Sequence, residues 1–193
     1  MIAVATKQAY EKTQEARKVS LKTFMEKYRE GSAGQKYEWN NGVIETFQTM
    51  KQIELLIYYN LLRHFMKTEA FQNGAILSEE TEVWTSEGQF RKPDICFWEK
   101  EQVFSSFEGK NNIPKFAVEV ISTNDQANLI KSKLYECFNA GFEVIWHIYP
   151  QQKVVEVYTS PKSITICTDT DFCSASNVIP DLKITVNDLF SVK

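Results

Sequence analysis

Histidines and zinc-like cysteine patterns are scarce in this sequence. His64 and His147 are its only histidines, so a histidine-rich metal site is not expected. The four cysteines show no CxxC or other zinc-like spacing, and each has apolar neighbours. We therefore expect reduced, buried cysteines in a cytoplasmic protein.

Long apolar runs and an excess of positive charge are also missing. No stretch approaches the ~20 apolar residues of a membrane span. The N-terminus turns charged after six residues, so we expect no secretory signal. The net charge of −3 gives no global attraction to nucleic acid, which would need a local basic patch. With 43% hydrophobic residues in 193, the composition is that of a compact domain with a substantial core.

Two acidic residues stand at unusual places in apolar segments. Glu119 lies inside PKFAVEVIS, a run typical of a strand buried on both faces, and Asp94 heads the apolar segment of KPDICFWEK. A buried carboxylate costs several kcal/mol unless a cation or hydrogen bonds compensate it. Two such acids suggest a metal site. The alternatives are an edge-strand glutamate that faces water, or a glutamate in a salt bridge with a core lysine.

The rest of the chain alternates between helix and strand patterns, which predicts an α/β fold. We expect a helical arm over residues 1–34 and one domain over residues 35–193. The arm carries an apolar stripe, namely Leu21, Phe24, Met25 and Tyr28. The domain should contain a central mixed sheet of about five strands, flanked by helices, with a β-rich C-terminal part.

Local signals place the elements of this domain. Asn41-Gly42 predicts a hairpin turn, and apolar spacing predicts helices over 51–65 and 125–140. Other segments are predicted as a hairpin of strands 76–84 and 91–98, a surface loop over 101–113, a strand at FEVIWHIY, and a C-terminal segment that packs back.

Lys133 is the candidate partner of Glu119. On a helical wheel it falls between Ile130 and Cys137, within the inward stripe of the second helix. An inward lysine can neutralise Glu119 or act beside it. Alternatively, its ammonium reaches solvent along the aliphatic stem.

These features occur in an order that resembles the Uma family of putative restriction endonucleases, within the PD-(D/E)xK nuclease superfamily. The resemblance covers about residues 35–190. Its motifs are Pro93-Asp94, Glu119-Val120-Ile121-Ser122, Lys133, and Gly141 through Trp146 to Pro150.

The resemblance implies a restriction-endonuclease-like fold and Mg²⁺-dependent hydrolysis of DNA, with Mn²⁺ as another possible ion. Asp94, Glu119 and the Val120 backbone carbonyl would be metal ligands, and Lys133 would be catalytic. Ile121 occupies the usual lysine position of the superfamily, and the resemblance implies that the lysine has moved to the following helix. Glu45 is the best further acid for the metal.

Glu54 and Glu82 are weaker candidates for the same role. A rim of basic residues could guide DNA, namely Arg63, Lys67, Arg91, Lys92 and Lys115.

Three function classes follow from these observations. The favoured one is a metal-dependent endonuclease. A homodimer is expected for it, because cleavage of two strands benefits from two related sites and because the apolar stripe of the arm has no assigned core to cover. The second is a non-catalytic nucleic-acid-binding or regulatory module that retains the fold, which Ile121 favours. The third is an unrelated α/β protein in which Glu119 is structural.

Overall fold

The computed structural model describes residues 18–31, 35–48, 52–123, 125–176 and 178–192. Chain contacts divide it into two compact units, residues 1–49 and 50–193. The division predicted from the sequence, between residues 34 and 35, stays a prediction because residues 1–17 and 32–34 lie outside the described part. No helix in the described ranges is long and apolar enough to cross a bilayer.

The first unit contains one short helix and a hairpin. Helix α1 (Leu21–Lys27) begins after Ser20, whose hydroxyl accepts a hydrogen bond from the Thr23 amide. Strands β1 (Gln35–Asn40) and β2 (Val43–Gln48) pair antiparallel around Asn41 and Gly42. Both turn residues have positive φ, 49° and 93°, as the predicted two-residue turn requires.

The apolar stripe of α1 packs within this same unit. Phe24 stacks on Tyr28 at a centroid distance of 6.3 Å, and Tyr28 meets Tyr37 of β1 edge-on at 6.1 Å. The indole of Trp39 donates to the Val19 carbonyl at 3.0 Å. Phe24 and Tyr28 of the stripe thus pack inside this unit, which removes part of the argument for a second copy of the chain.

The second unit is an α/β unit built on a six-stranded sheet. In chain order its elements are α2 (Gln52–Phe65), α3 (Glu69–Gln72), β3 (Ile76–Glu79), β4 (Val83–Ser86), β5 (Gln89–Arg91), β6 (Ile95–Trp98), α4 (Lys100–Phe107), β7 (Phe116–Val120), α5 (Ala127–Ala140), β8 (Val144–Tyr149), β9 (Val154–Ser160), β10 (Ser163–Thr168), β11 (Phe172–Cys173), β12 (Ile184–Thr185) and α6 (Val186–Leu189). The strand order is β10-β9-β8-β7-β6-β3. Only β7 and β8 are parallel, so the sheet is mixed, as predicted.

Both long helices are confirmed, but one prediction for the segment between them is wrong. Residues 101–113 are not one loop, because α4 begins at a capping box made by Glu99 and Gln102. The predicted hairpin of strands 76–84 and 91–98 is confirmed, with an interruption. β3 pairs with β6 and β4 pairs with β5, both antiparallel and in the same register, and the ladder breaks next to Glu80, which has a φ of 47°.

The sheet separates two cores. On one face the side chains of Phe116, Val118 and Trp146 join α2 and the C-terminal residues in the larger core. The buried Asn60 of α2 holds this end in place by donating to the carbonyls of Leu189 and Ser191 at 3.1 and 2.8 Å. The predicted packing of the C-terminal segment is thus confirmed.

The opposite face of the sheet lies under α5 and carries polar residues. Cross-strand partners along it are Glu119 on β7, His147 on β8 and Glu156 on β9. Glu156 accepts hydrogen bonds from the hydroxyls of Tyr149 and Tyr158 at 3.0 and 2.8 Å. This face therefore contains the charged groups, while the other face is apolar.

His147 is buried in this row without a partner for one nitrogen. Its side chain is 3% exposed, and its Nδ1 has no hydrogen-bond partner among the described residues. Burial, with the charges of Lys133 and Lys131 on α5, lowers the pKa of His147 from 6.5 to about 4. The flanking carboxylates do not reverse this shift, because Glu119 is paired with Lys133 and Glu156 with two tyrosines.

We expect His147 to destabilise the fold in mild acid. The unfolded chain protonates this imidazole below pH 6.5 while the folded chain keeps it neutral, so stability present above pH 6.5 is lost as the pH falls toward 4. Between pH 7 and 5 the loss should be about 2 kcal/mol. Urea unfolding without divalent ions should show that His147→Leu is less acid-sensitive than the parent by this amount. An equal loss in both proteins would contradict the prediction.

Candidate active site

Asp94 lies at the start of β6, beside the strand that carries Glu119. Strands β6 and β7 pair antiparallel through Ile95 opposite Val118, which confirms that the two acids belong to neighbouring strands. The side chain of Asp94 is 8% exposed, and its Oδ2 accepts a hydrogen bond from the Val120 amide at 2.7 Å. The N–H and C=O of one strand residue point to the same side, so the Val120 carbonyl also lies on the Asp94 side.

Glu119 and Lys133 form an ion pair between the sheet and α5. The Lys133 ammonium lies 3.1 Å from Oε1 and 3.2 Å from Oε2 of Glu119. The two side chains are only 11% and 14% exposed. The lysine therefore points inward, and the carboxylate is neutralised by a core lysine, one of the readings left open by the sequence. Such a pair is compatible with a structural role and with a catalytic one.

The thiol of Cys96 lies within electrostatic range of Asp94, Glu119 and Lys133. Its thiol is fully buried on the face of β6 that packs under α5. Burial raises the pKa of Cys96 well above its usual value; Glu119 and Asp94 raise it further, while Lys133 lowers it. All three predicted residues are thus close enough to act on one thiol. The thiol stays protonated at neutral pH and so adds no charge beside these three groups.

A second ion pair ties α5 to the chain leading into Asp94. Arg91, at the end of β5, is 2% exposed, and its Nη2 lies 2.6 Å from Oε2 of Glu136. Its Nε donates to both Glu136 oxygens at 3.0 Å, and the Thr85 hydroxyl donates to the same carboxylate at 2.5 Å. Glu136 follows Lys133 by almost one helical turn. We call these residues, Thr85, Arg91 and Glu136, the clamp.

The clamp corrects one part of the sequence interpretation. Arg91 was expected on a basic rim for DNA, yet it is buried and paired with a glutamate. Of the other rim residues, Lys92 pairs with Glu82 at 3.7 Å, and Lys115 contacts Glu99 and Glu143 at 3.8 and 3.6 Å. Glu136 was missed from the sequence, although its spacing from Lys133 on α5 was a usable signal.

The further acids do not form a recognisable ligand cluster. Glu45 lies on β2 in the first unit, where Asn40 donates to its carboxylate at 2.8 Å. Its predicted part in a metal site stays a prediction. In the part of the chain that the structure describes, no group of three or more His, Cys, Asp or Glu side chains could hold a metal ion.

The available donors nevertheless suit one kind of ion. Asp94 and Glu119 offer carboxylate oxygens, and Val120 offers a carbonyl oxygen. Mg²⁺ takes oxygen ligands, usually only one or two protein carboxylates, and retains several waters. The donor set therefore fits Mg²⁺ or Mn²⁺ and does not fit a structural zinc site, which needs four nitrogen or sulfur ligands.

Known proteins show the same fold and sequence pattern. The family model Uma2, described as putative restriction endonuclease, matches residues 23–187. A crystal structure of a putative nuclease belonging to DUF820 from Anabaena variabilis is similar, with a TM-score of 0.73 and 16% identity. The likeness covers 89% of this chain and 97% of that chain, and at this identity it shows a common fold.

No curated protein matches this sequence. The family match spans most of the chain and includes the strands of Asp94 and Glu119 and the helix of Lys133. The chain therefore belongs to the Uma2 family of putative restriction endonucleases.

Proposed function

We propose that this protein is a metal-dependent endonuclease that hydrolyses DNA phosphodiester bonds. The single observation that carries the proposal is the buried pair of Lys133 and Glu119 next to the strand of Asp94. Membership in a family described as restriction endonucleases supports a nuclease in general. The metal, the substrate and the residue roles are the further steps that we propose.

Asp94, Glu119 and the Val120 carbonyl would hold Mg²⁺ or Mn²⁺. When bound, such an ion polarises a phosphate and lowers the pKa of a coordinated water. Lys133 would donate a charge-assisted hydrogen bond to the attacking oxygen or to the pentavalent phosphorane. This role replaces that of the lysine expected at position 121, where Ile121 has no proton to donate.

The ion pair also prepares the site in the absence of metal. A carboxylate that must stay ionised to bind a cation is costly on a buried strand. Lys133 lies beside Glu119 at low solvent exposure and offsets this cost. The Asp94 carboxylate accepts a hydrogen bond from the Val120 amide.

We also propose a homodimer and a cytoplasmic location. A homodimer would place two sites on opposite DNA strands. The packing of α1 on its own hairpin removes one reason for expecting it. Activity in the cytoplasm agrees with four free, buried cysteines, which need no oxidising compartment.

The first functional prediction separates the two members of the ion pair. Lys133→Met should lower plasmid cleavage by about 100-fold or more, because one positioned donor is lost, while divalent-ion binding persists. Glu119→Gln should lose both cleavage and binding. The control Lys131→Met changes an exposed lysine of the same helix, which faces Tyr158, and should cleave like the parent. Calorimetric titration with Mg²⁺ and Mn²⁺ and plasmid nicking provide the two measurements.

Two results would redirect this proposal. If the parent binds divalent ions but never nicks DNA, the non-catalytic module with Ile121 in the lysine position becomes the better reading. If Glu119→Gln keeps full metal affinity, Glu119 is not a ligand and its pairing with Lys133 is structural.

The second functional prediction concerns the clamp as a positioning device. Glu136→Gln removes the charge that holds Arg91, so α5 and Lys133 should shift relative to Glu119. We expect kcat to fall by about 10- to 100-fold with little change in KM, because small misplacements act on the chemical step. Glu143→Gln, an exposed partner of Lys115, is the matched control. A lower melting temperature with an unchanged kcat would show that the clamp is merely structural.

A further inference from the structure

A cavity opens beside α4, next to the tryptophan that ends β6. Its volume is about 380 Å³, and its walls come from β3, β4, β6, α4 and the segment after α4. The lining residue Trp98 is four residues from Asp94, so the two share one face of the sheet and lie roughly 13 Å apart along the strand, at about 3.3 Å per residue. Thr81 and Glu82 also line the cavity, and Glu82 pairs with Lys92 at 3.7 Å, so the cavity extends from Trp98 toward the Asp94 end of the strand. No residue of the proposed active site lines it.

Two indoles form fixed walls of this cavity. Trp98 is 6% exposed, and its Nε1 donates to the Ser78 hydroxyl at 2.8 Å. Trp84 packs on Phe90 at a centroid distance of 5.1 Å. Ring systems held in this way present flat apolar faces at low entropic cost, which suits a planar aromatic ligand.

Two side-chain amides supply acceptors next to these rings. The Asn111 Nδ2 donates to the Trp84 carbonyl at 2.9 Å, and the Asn112 Nδ2 donates to the Gln102 carbonyl at 3.2 Å. Carbonyl oxygens accept only from the amide nitrogen, which orients each side chain, and the Asn112 nitrogen also lies 2.8 and 2.9 Å from the hydroxyls of Ser105 and Ser106. Within the described ranges, no donor of the protein reaches either Oδ1. A ligand with an N–H donor would satisfy them.

The surface next to the cavity is unusually aromatic. Phe107 directly follows the lining residue Ser106 and is 94% exposed, and Phe104, one turn earlier on α4, is 63% exposed. Lys110, also a lining residue, is 69% exposed and only loosely paired with Glu108 at 3.7 Å. Exposed rings beside a cation are the groups that single-stranded nucleic acids use for base stacking and phosphate contact.

We propose that this cavity binds one unstacked nucleobase with an exocyclic amine, such as cytosine or adenine, from the strand that the protein acts on. The base would stack between the indoles and donate to the asparagine oxygens, while Phe107 stacks on a neighbouring base. This inference rests on the proposed function, because that function supplies the DNA strand from which the base comes. It adds a recognition site separate from the acids and Lys133.

The test measures binding without metal, so that cleavage plays no part. Anisotropy of labelled oligonucleotides of about 12 nucleotides, one of deoxycytidine and one of thymidine, is recorded in EDTA. The parent should bind the cytosine strand at least about fivefold more tightly, because the exocyclic amine of cytosine carries two N–H donors for the two asparagine oxygens, whereas thymine has only the N3–H. Ser106→Trp fills the cavity from the exposed side of α4 and should abolish this preference. Phe104→Trp adds the same indole outside the cavity and should keep it.

A second pair of variants guards against a loss of fold. Trp84→Ala should weaken binding of the cytosine strand by about fivefold or more, whereas Trp84→Phe should retain most of it through stacking. Equal binding of both strands by the parent, or a preserved preference in Ser106→Trp, would overturn the proposal. A cytosine preference in a protein that never cleaves DNA with Mg²⁺ or Mn²⁺ would refute the nuclease function and leave the base site standing.

Discussion

The charge of Glu119 on a buried strand is the constraint around which the second unit is organised. A carboxylate in an apolar sheet needs a partner. Its cross-strand neighbour on β8, His147, has a pKa lowered to about 4 and carries no charge at neutral pH, so the cation comes from the helix over the sheet. Lys133 provides it from α5 at 3.1 Å. Lys133 reaches Glu119 only if α5 lies over β7 and is rotated about its own axis so that Lys133 faces the sheet. The clamp of Arg91, Glu136 and Thr85 fixes that rotation.

The six-stranded sheet divides its two faces between stability and chemistry. The face toward α2 contains a continuous apolar core with the C-terminal residues of the chain. The face toward α5 combines a smaller apolar cluster with Asp94, Glu119, His147 and Glu156. Stability drawn from the first face offsets the cost of charged and unsatisfied groups on the second. His147, with its unpartnered nitrogen and a pKa lowered to about 4, is one such cost.

The proposed active site and the proposed base cavity are connected by β6. Asp94 stands at the start of this strand and Trp98 at its end, on the same face. A rigid strand keeps a constant distance between a reacting phosphate and a recognised base. In this arrangement the acids and Lys133 act on phosphate groups common to all DNA, and any preference among bases arises at the tryptophans and asparagines.

The sequence by itself determined the elements with strong periodicity and the identities of the charged residues. Helices α2 and α5, the Asn41-Gly42 turn and the mixed sheet follow from local patterns. The helical wheel placed Lys133 on the inward side of α5 but left open whether its ammonium reaches solvent. Asp94 and Glu119 stand out because acids are rare in apolar strands.

Tertiary structure alone decided the pairings. The pairing of Glu119 with Lys133 depended on which element packs over β7, a long-range contact that no local pattern specifies. For the same reason the sequence assigned Arg91 to a DNA-binding rim, although it lies buried against Glu136 from a helix 45 residues later. The helix α4 and the cavity beside it were likewise missed. Short segments with weak local sequence preferences take their structure from the contacts that are available after the sheet has formed.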